Sequence, residues 1–266
     1  MNRKLQIVGL TDPGRMRNQN EDSIATDPKI GVAVLADGMG GHQAGEVASR
    51  MAVDVVTHHL ADILQQHLAS ASAGNGSPIE MHAVEEAIQY ANTAIFEMAH
   101  ARPECAGMGS TIVVVVFYAN RFCVGHVGDS RLYRLRDGLL EQLTQDHSVI
   151  QELVTRGLLT HDEARQSIGK NLVTRALGVE ATVTADIAEK TAQDRDVYLM
   201  CSDGLNDVVS DDEIRQIVEQ NIDDLNAAAR QLVTLANDRG GPDNISVILA
   251  RTGSEFQRDA ANAWRL

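Results

Sequence analysis

The sequence predicts an α+β fold of stacked layers with helices covering the sheets from outside, and three observations carry that prediction. Strand-like apolar runs stand at the beginning, middle and end of the chain. Two long stretches of helical periodicity lie between the first strands and the central ones. Hairpin turns join the central strands, which makes those neighbours antiparallel and argues against a doubly wound parallel sheet. At 266 residues and 44% hydrophobic, the chain can bury a sizeable core. Length alone permits one large domain or two smaller ones. The preferred reading is a single domain over residues 1–252, followed by a polar tail, 253–266, to which no function is assigned.

Residues 5–10 are apolar but too few for the core of a signal peptide, and they stop at Thr11-Asp12-Pro13-Gly14. Residues 30–36 form a buried strand that runs into Asp37-Gly38-Met39-Gly40-Gly41-His42. Apolar residues recurring every three or four positions predict core-facing helices over 44–68 and 79–99. The small, polar, glycine-containing segment 69–78 suits a connection between them. Residues 111–118 are rich in β-branched side chains and too apolar for a one-sided surface strand, so they belong in the middle of a sheet. Asn120-Arg121 and Asp137-Gly138 mark hairpin turns around strands 122–127 and 131–135.

From Asp146 the pattern breaks. A helix over 148–154 is followed by interruptions at Gly157, at 160–163 and at Gly169-Lys170-Asn171, which reads as a mobile excursion from the core. A strand over 197–202 then leads into Asp203-Gly204. Ser210 and Glu213 have capping-box spacing before a helix over 214–220, a second amphipathic helix covers 223–237, and residues 245–250 form the last strand.

A net charge of −14, from 23 basic and 37 acidic residues, opposes binding to nucleic acid or to an anionic membrane surface. No run approaches the roughly 20 apolar residues of a membrane span. Cys105, Cys123 and Cys201 are odd in number and widely spaced, with no zinc-knuckle or redox pairing, so a reducing cytoplasm is expected. Cys201 reads as a small apolar filler in a strand.

Asp37, Asp129, Asp203 and Asp243 each stand at or beside the end of an apolar run. A single Asp-Gly is usually an ordinary turn. Several carboxylates at strand ends that converge, however, cannot all ionise unless cations neutralise them, so convergence implies a metal cluster. Aspartates, a glycine-turn carbonyl and waters make an all-oxygen ligand set suited to Mg2+ or Mn2+, whereas zinc is disfavoured. Two such ions about 3.5–4 Å apart acidify a shared water for in-line displacement at phosphorus, so the inferred chemistry is phosphate-ester hydrolysis. Arg17 carries a forked donor matched to phosphate oxygens. His42, between the glycine pair and the first long helix, is placed to protonate a leaving alkoxide.

With these residues in view, the chain resembles the metal-dependent protein phosphatase (PPM) family in its compact bacterial form. The resemblance rests on Asp12 and Gly14 with Arg17, Asn20-Glu21-Asp22-Ser23, Asp37-Gly38-Met39-Gly40-Gly41-His42 with Gly45-Glu46, and Gly107-Met108-Gly109-Ser110-Thr111. It continues through Gly128-Asp129-Ser130-Arg131, Asp146-His147-Ser148, Thr174-Arg175-Ala176-Leu177-Gly178, Ser202-Asp203-Gly204 and Asp243-Asn244, in order from residue 5 to about 250.

The resemblance implies a four-layer α-β-β-α sandwich of two mainly antiparallel sheets, with a flap at about 146–171. It implies that Asp37 bridges two metal ions, Mn2+ or Mg2+, with Asp203 and Asp243 on the first, and the Gly38 carbonyl and Glu21 near the second. Asp129 with Asp203 would form a third, weaker site. Arg17 would hold the phosphate and His42 would be the general acid, with metal-activated water attacking directly. Expected partners are phosphoserine and phosphothreonine proteins and a cognate bacterial Ser/Thr kinase, with no nucleic acid or membrane, the chain being a monomer. Residues 166–171, Gln-Ser-Ile-Gly-Lys-Asn, depart from the His-Pro and Arg-Asn wording of many bacterial relatives, so the flap gives no guide to substrate choice. Two other readings stay open on the residues: a phosphopeptide-binding module without catalysis, and a two-metal nuclease, which the charge of −14 opposes.

Overall fold

The computed structural model describes residues 5–41, 44–69, 79–160, 163–164 and 172–253. The strands are β1 (Leu5–Asp12), β2 (Asp22–Asp27), β3 (Val32–Met39), β4 (Gly109–Ser110), β5 (Ile112–Tyr118), β6 (Arg121–Val127), β7 (Arg131–Arg136), β8 (Leu139–Gln142), β9 (Asp186–Thr191), β10 (Val197–Cys201) and β11 (Ile245–Thr252). The helices are α1 (Ala44–Ala69), α2 (Ile79–Ala101), α3 (Val149–Thr155), α4 (Asp203–Asn206), α5 (Asp211–Gln220) and α6 (Leu225–Asp238). One sheet has the order β2-β3-β5-β6-β9, with β4 paired to β3, and the other β1-β11-β10-β7-β8. Every pairing between these strands is antiparallel.

The period of two along each strand explains why the central ones are apolar on both faces. Val32, Val34 and Ala36 of β3, with Val114 and Val116 of β5, point into a core shared with α1 and α2. Their neighbours Ala33, Leu35, Val113 and Val115 point the other way, into the space between the sheets. In the second sheet Val197, Leu199 and Cys201 face α5 and α6, while Tyr198 and Met200 face the first sheet. The result is four layers, helices outside and two sheets within. Cys201 is fully buried among apolar side chains, as a filler should be.

Phe117, Phe122 and Tyr198 meet between the sheets, with Tyr198 edge-on to Phe122 at 4.7 Å and to Phe117 at 5.2 Å. The Tyr198 hydroxyl finds its partner in Asp196 Oδ2 at 2.9 Å, and Arg136 grips the same carboxylate from Nε (2.7 Å) and Nη2 (2.6 Å). That arrangement leaves no lone buried charge.

The two long helices, the central strand, the Asp137-Gly138 turn and the capping box at Ser210 stand where the sequence puts them. Between β5 and β6 the turn falls one residue early, at Ala119-Asn120, with Ala119 at φ 46° and Arg121 already in β6. The edge strands β2, β8 and β9 lack an apolar run because an edge is covered from fewer sides, so periodicity alone does not announce them. None of the described helices is long and apolar enough to cross a membrane.

Of the excursion expected at 146–171, residues 161–162 and 165–171 lie outside the described residues. Asn92, fully buried on α2, holds the segment 178–181 that leads into β9. Its Oδ1 accepts from the Gly178 N–H at 2.9 Å, and its Nδ2 donates to the carbonyls of Glu180 and Ala181 at 3.0 and 3.2 Å. Asn92→Ala should leave those buried groups unmet and cost about 2–3 kcal/mol. Thermal unfolding should then show a midpoint roughly 5–10 °C lower.

Candidate metal centre and active site

Antiparallel pairing brings the site residues to one edge of the sandwich. Asp37 in β3 lies opposite Asp22 in β2. The start of β5 and the end of β6 pair at Ile112 and Val127, which sets Thr111 and Asp129 beside the end of β3. Cys201 pairs with Val247, so Asp203 after β10 and Asp243 before β11 leave their strands at the same edge. A cavity of about 220 Å3 there is lined by Arg17, Glu21, Asp37, Gly38, Asp129, Asp203 and Asp243. His42, the expected general acid, lies outside the described residues.

Backbone and side-chain bonds hold each group in place. The Asp37 N–H donates to Thr111 Oγ1 at 3.0 Å, and its carbonyl accepts from the Thr111 N–H at 2.8 Å and from Ser110 Oγ at 2.9 Å. Asn244 shapes the loop that carries Arg17 and Glu21. Its Nδ2 donates to the carbonyls of Pro13 and Gln19, each at 2.9 Å, and its Oδ1 accepts the Glu21 N–H at 2.8 Å. Ser202 Oγ ties the two sheets together, donating to Asp22 Oδ2 at 2.8 Å and accepting the Ser246 N–H at 3.0 Å. Arg17, half exposed, reaches in and donates from Nη2 to Asp243 Oδ2 at 2.7 Å.

Like charges dominate the pocket. Burial pushes the Asp37 carboxyl well above its usual range, and Asp22, Asp203, Asp129 and Asp243 push it further. Asp203 rises for the same reason, burial first and then Asp129, Asp207 and Asp243. Asp22 and Asp129 are each raised to about 6, mainly by burial. Glu21 is raised by burial against the opposing pull of Arg17. Glu21 Oε1 and Asp22 Oδ1 are buried without a hydrogen-bond partner. Oxygen atoms crowded together in this way fit hard divalent cations, which would satisfy the lone pairs and neutralise the repulsion at once.

A pH dependence follows for the metal-free protein. Asp22 and Asp129 at about 6 lie above the roughly 3.9 of an unfolded aspartate. Between those values the folded state binds more protons than the unfolded one, so stability falls as pH rises from about 4 to 6 and stays lower above. In EDTA the unfolding midpoint should be higher at pH 5 than at pH 7, and Asp129→Asn should shrink the difference. A parent midpoint that rises between those pH values would contradict this assignment.

Three groups that sequence reasoning gave no role are part of the site's frame. Asp22 gives little signal because β2 is a short, polar edge strand, and only its register opposite Asp37 brings it to the cluster. Asn244 and Ser202 act through long-range bonds, although their positions next to Asp243 and Asp203 are a usable hint.

The layers make the chain an α-β-β-α sandwich with a carboxylate pocket at the sheet edge. More narrowly, the chain belongs to the protein phosphatase 2C family, whose sequence profile matches residues 15–236. It is 38% identical over 247 residues to the serine/threonine protein phosphatase PstP of Mycobacterium tuberculosis strain CDC 1551, covering 92% of this chain and 45% of that protein. The chain thus spans just under half the length of that relative. With the serine/threonine phosphatase stp of Listeria innocua it shares 37% identity over 255 residues, 94% of this chain and 98% of that one. The crystal structure of M. tuberculosis PstP superposes with a TM-score of 0.83 at 36% identity, covering 94% of this chain and 99% of that chain. A PstP catalytic domain in complex with two manganese ions gives 0.79 at 37% identity, with the same coverage.

Proposed function

We propose that this chain is a serine/threonine protein phosphatase that hydrolyses phosphoserine and phosphothreonine on proteins with Mn2+ or Mg2+ as cofactor. The observation that carries the reading is the cavity in which Asp37, Asp203, Asp243 and Glu21 converge beside the Arg17 guanidinium. The PstP catalytic domain in complex with two manganese ions supports the same number here, and Asp37, Asp203, Asp243, the Gly38 carbonyl and Glu21 are the groups that would hold them. Asp129 with Asp203 is the candidate for a third, weaker site. Such ions, when bound, supply charge neutralisation of the phosphate and an acidified water.

The chain's own residues do the rest. Arg17, now paired with Asp243, exchanges that carboxylate for two phosphate oxygens and so orients the ester. The Thr111 and Ser110 bonds keep the Asp37 backbone fixed while charge develops beside it. His42 is the candidate donor of a proton to the leaving alkoxide. A cognate Ser/Thr kinase, a monomeric state and a cytoplasmic location complete the reading, the last supported by three free, buried cysteines.

The test is phosphate release from a phosphothreonine peptide with Mn2+, Mg2+ or EDTA, beside phosphotyrosine and DNA controls. Release that needs the metal and spares DNA is expected. A metal-loaded protein inert toward every phosphoester would favour a phosphopeptide-binding module instead.

A further inference from the structure

We propose that His147 is a positioning residue that clamps the segment entering α3 and the segment at Thr174 to the Gly128-Asp129 turn. The residue is buried, 5% exposed, and takes up both polar groups of the Gly128 backbone, one through its ring and one through its own backbone N–H. The Gly128 N–H donates to His147 Nδ1 at 3.1 Å, and the His147 N–H donates to the Gly128 carbonyl at 2.9 Å. The His147 carbonyl in turn accepts the Thr174 N–H at 2.8 Å, which ties in the second of these segments. Gly128, at φ 104°, has no side chain of its own to hold it, and a Cβ there would come within 2.7 Å of Thr111 Cβ. The imidazole therefore supplies the side-chain half of the bonds that hold the turn presenting Asp129, the His147 backbone supplying the other.

The far side of the ring is also built. His147 stacks on His126 with centroids 4.6 Å apart and planes at 19°, and His126 Nε2 donates to the Gln145 carbonyl at 2.9 Å. His147 Nε2 faces Asp186 Oδ2 at 3.3 Å, while Arg175 donates to Asp186 Oδ1 at 2.9 Å. His126, His147 and Asp186 have ligand atoms within 4.8 Å of one another, the spacing of a metal trio. The proton count points elsewhere. Burial, with His126 and Arg175 nearby, lowers the His147 pKa to about 4, so the ring is neutral at pH 7. Its Nδ1 lone pair takes the Gly128 N–H, so the ring proton sits on Nε2 and leaves no lone pair there for a metal.

The catalytic consequence rests on the proposed role of Asp129 in metal binding, and the exchange measurement does not. The experiment compares the full, Mn2+-loaded chain with His147→Ala and with His147→Asn, whose Oδ1 can accept the Gly128 N–H in place of Nδ1. Hydrogen exchange should quicken at Gly128 and Thr174 by about ten-fold in His147→Ala, with inter-sheet amides such as Val113 unchanged. The Mn2+ concentration for half-maximal turnover of p-nitrophenyl phosphate should rise about five-fold or more, with KM within about two-fold of the parent. His147→Asn should restore Gly128 protection and most of the Mn2+ response. An Asn variant as impaired as Ala, unchanged Gly128 exchange in Ala, or Zn2+ or Mn2+ bound stoichiometrically through His147 would each overturn the assignment. If the parent itself hydrolyses no phosphoester, the proposed function fails, and Gly128 exchange still decides the role of His147.

Discussion

Asp37→Asn should lower metal-dependent phosphate release by about three orders of magnitude or more while leaving the fold intact. Asparagine keeps the shape of the side chain, and the Asp37 backbone is held through Thr111 and Ser110, so the strand has no reason to move. What changes is charge. The carboxyl is part-buried and crowded by Asp22, Asp203, Asp129 and Asp243, and removing its capacity for charge relieves repulsion in the metal-free protein. In EDTA the variant should therefore unfold at a higher temperature than the parent. With Mn2+ the order should reverse, because the parent gains binding free energy that the variant lacks. Paired thermal unfolding and phosphate release, with and without Mn2+, check both halves. A variant that keeps a tenth of the activity, or that is less stable in EDTA, would remove Asp37 from the centre of the site.

Gly38→Ala is expected to fail differently, through packing first. A Cβ at Gly38 would lie 2.0 Å from the Gly45 carbonyl oxygen and 2.7 Å from that of Glu21, both backbone atoms. Neither can yield without shifting the start of α1 or the loop that carries Glu21, whose carbonyl also accepts the Gly38 N–H at 3.0 Å. Overpacking of this kind costs about 1–3 kcal/mol and more where only backbone can move. The unfolding midpoint should drop by roughly 5–10 °C with or without metal. Calorimetric titration should show weakened Mn2+ binding, and phosphate release should fall by about a hundred-fold. The two substitutions separate chemistry from architecture at adjacent positions. Unchanged stability in Gly38→Ala would mean that the turn has slack, and the tight approach of α1 to β3 would lose its assigned role.

Much of the site was legible because aspartates at strand ends are rare enough in combination to mean something. Asp37, Asp129, Asp203 and Asp243 each follow or precede an apolar run, and the structure brings all four to one cavity. Arg17 and Glu21 also line it, though their loop has no periodicity to place it. That loop is held by Asn244, more than two hundred residues away, through bonds to the carbonyls of Pro13 and Gln19. The cores on the two faces of β5 were legible for a similar reason. Residues 112–117 are apolar at every position, which is what a strand between a helical layer and a second sheet requires.

By itself the sequence determined the helices α1 and α2, the central strands, the hairpin turn at Asp137-Gly138, the aspartates at strand ends and the family resemblance, because all of these are written in local period and residue type. Only the tertiary structure decided which strands lie at the edges, that Asp22 faces Asp37, that Ser202 bridges the sheets, and that His147 takes up both polar groups of Gly128. The physical reason is range. Hydrophobic period and turn chemistry act over a few residues, whereas a cross-strand register or a buried hydrogen bond joins positions whose separation along the chain carries no signal of their contact.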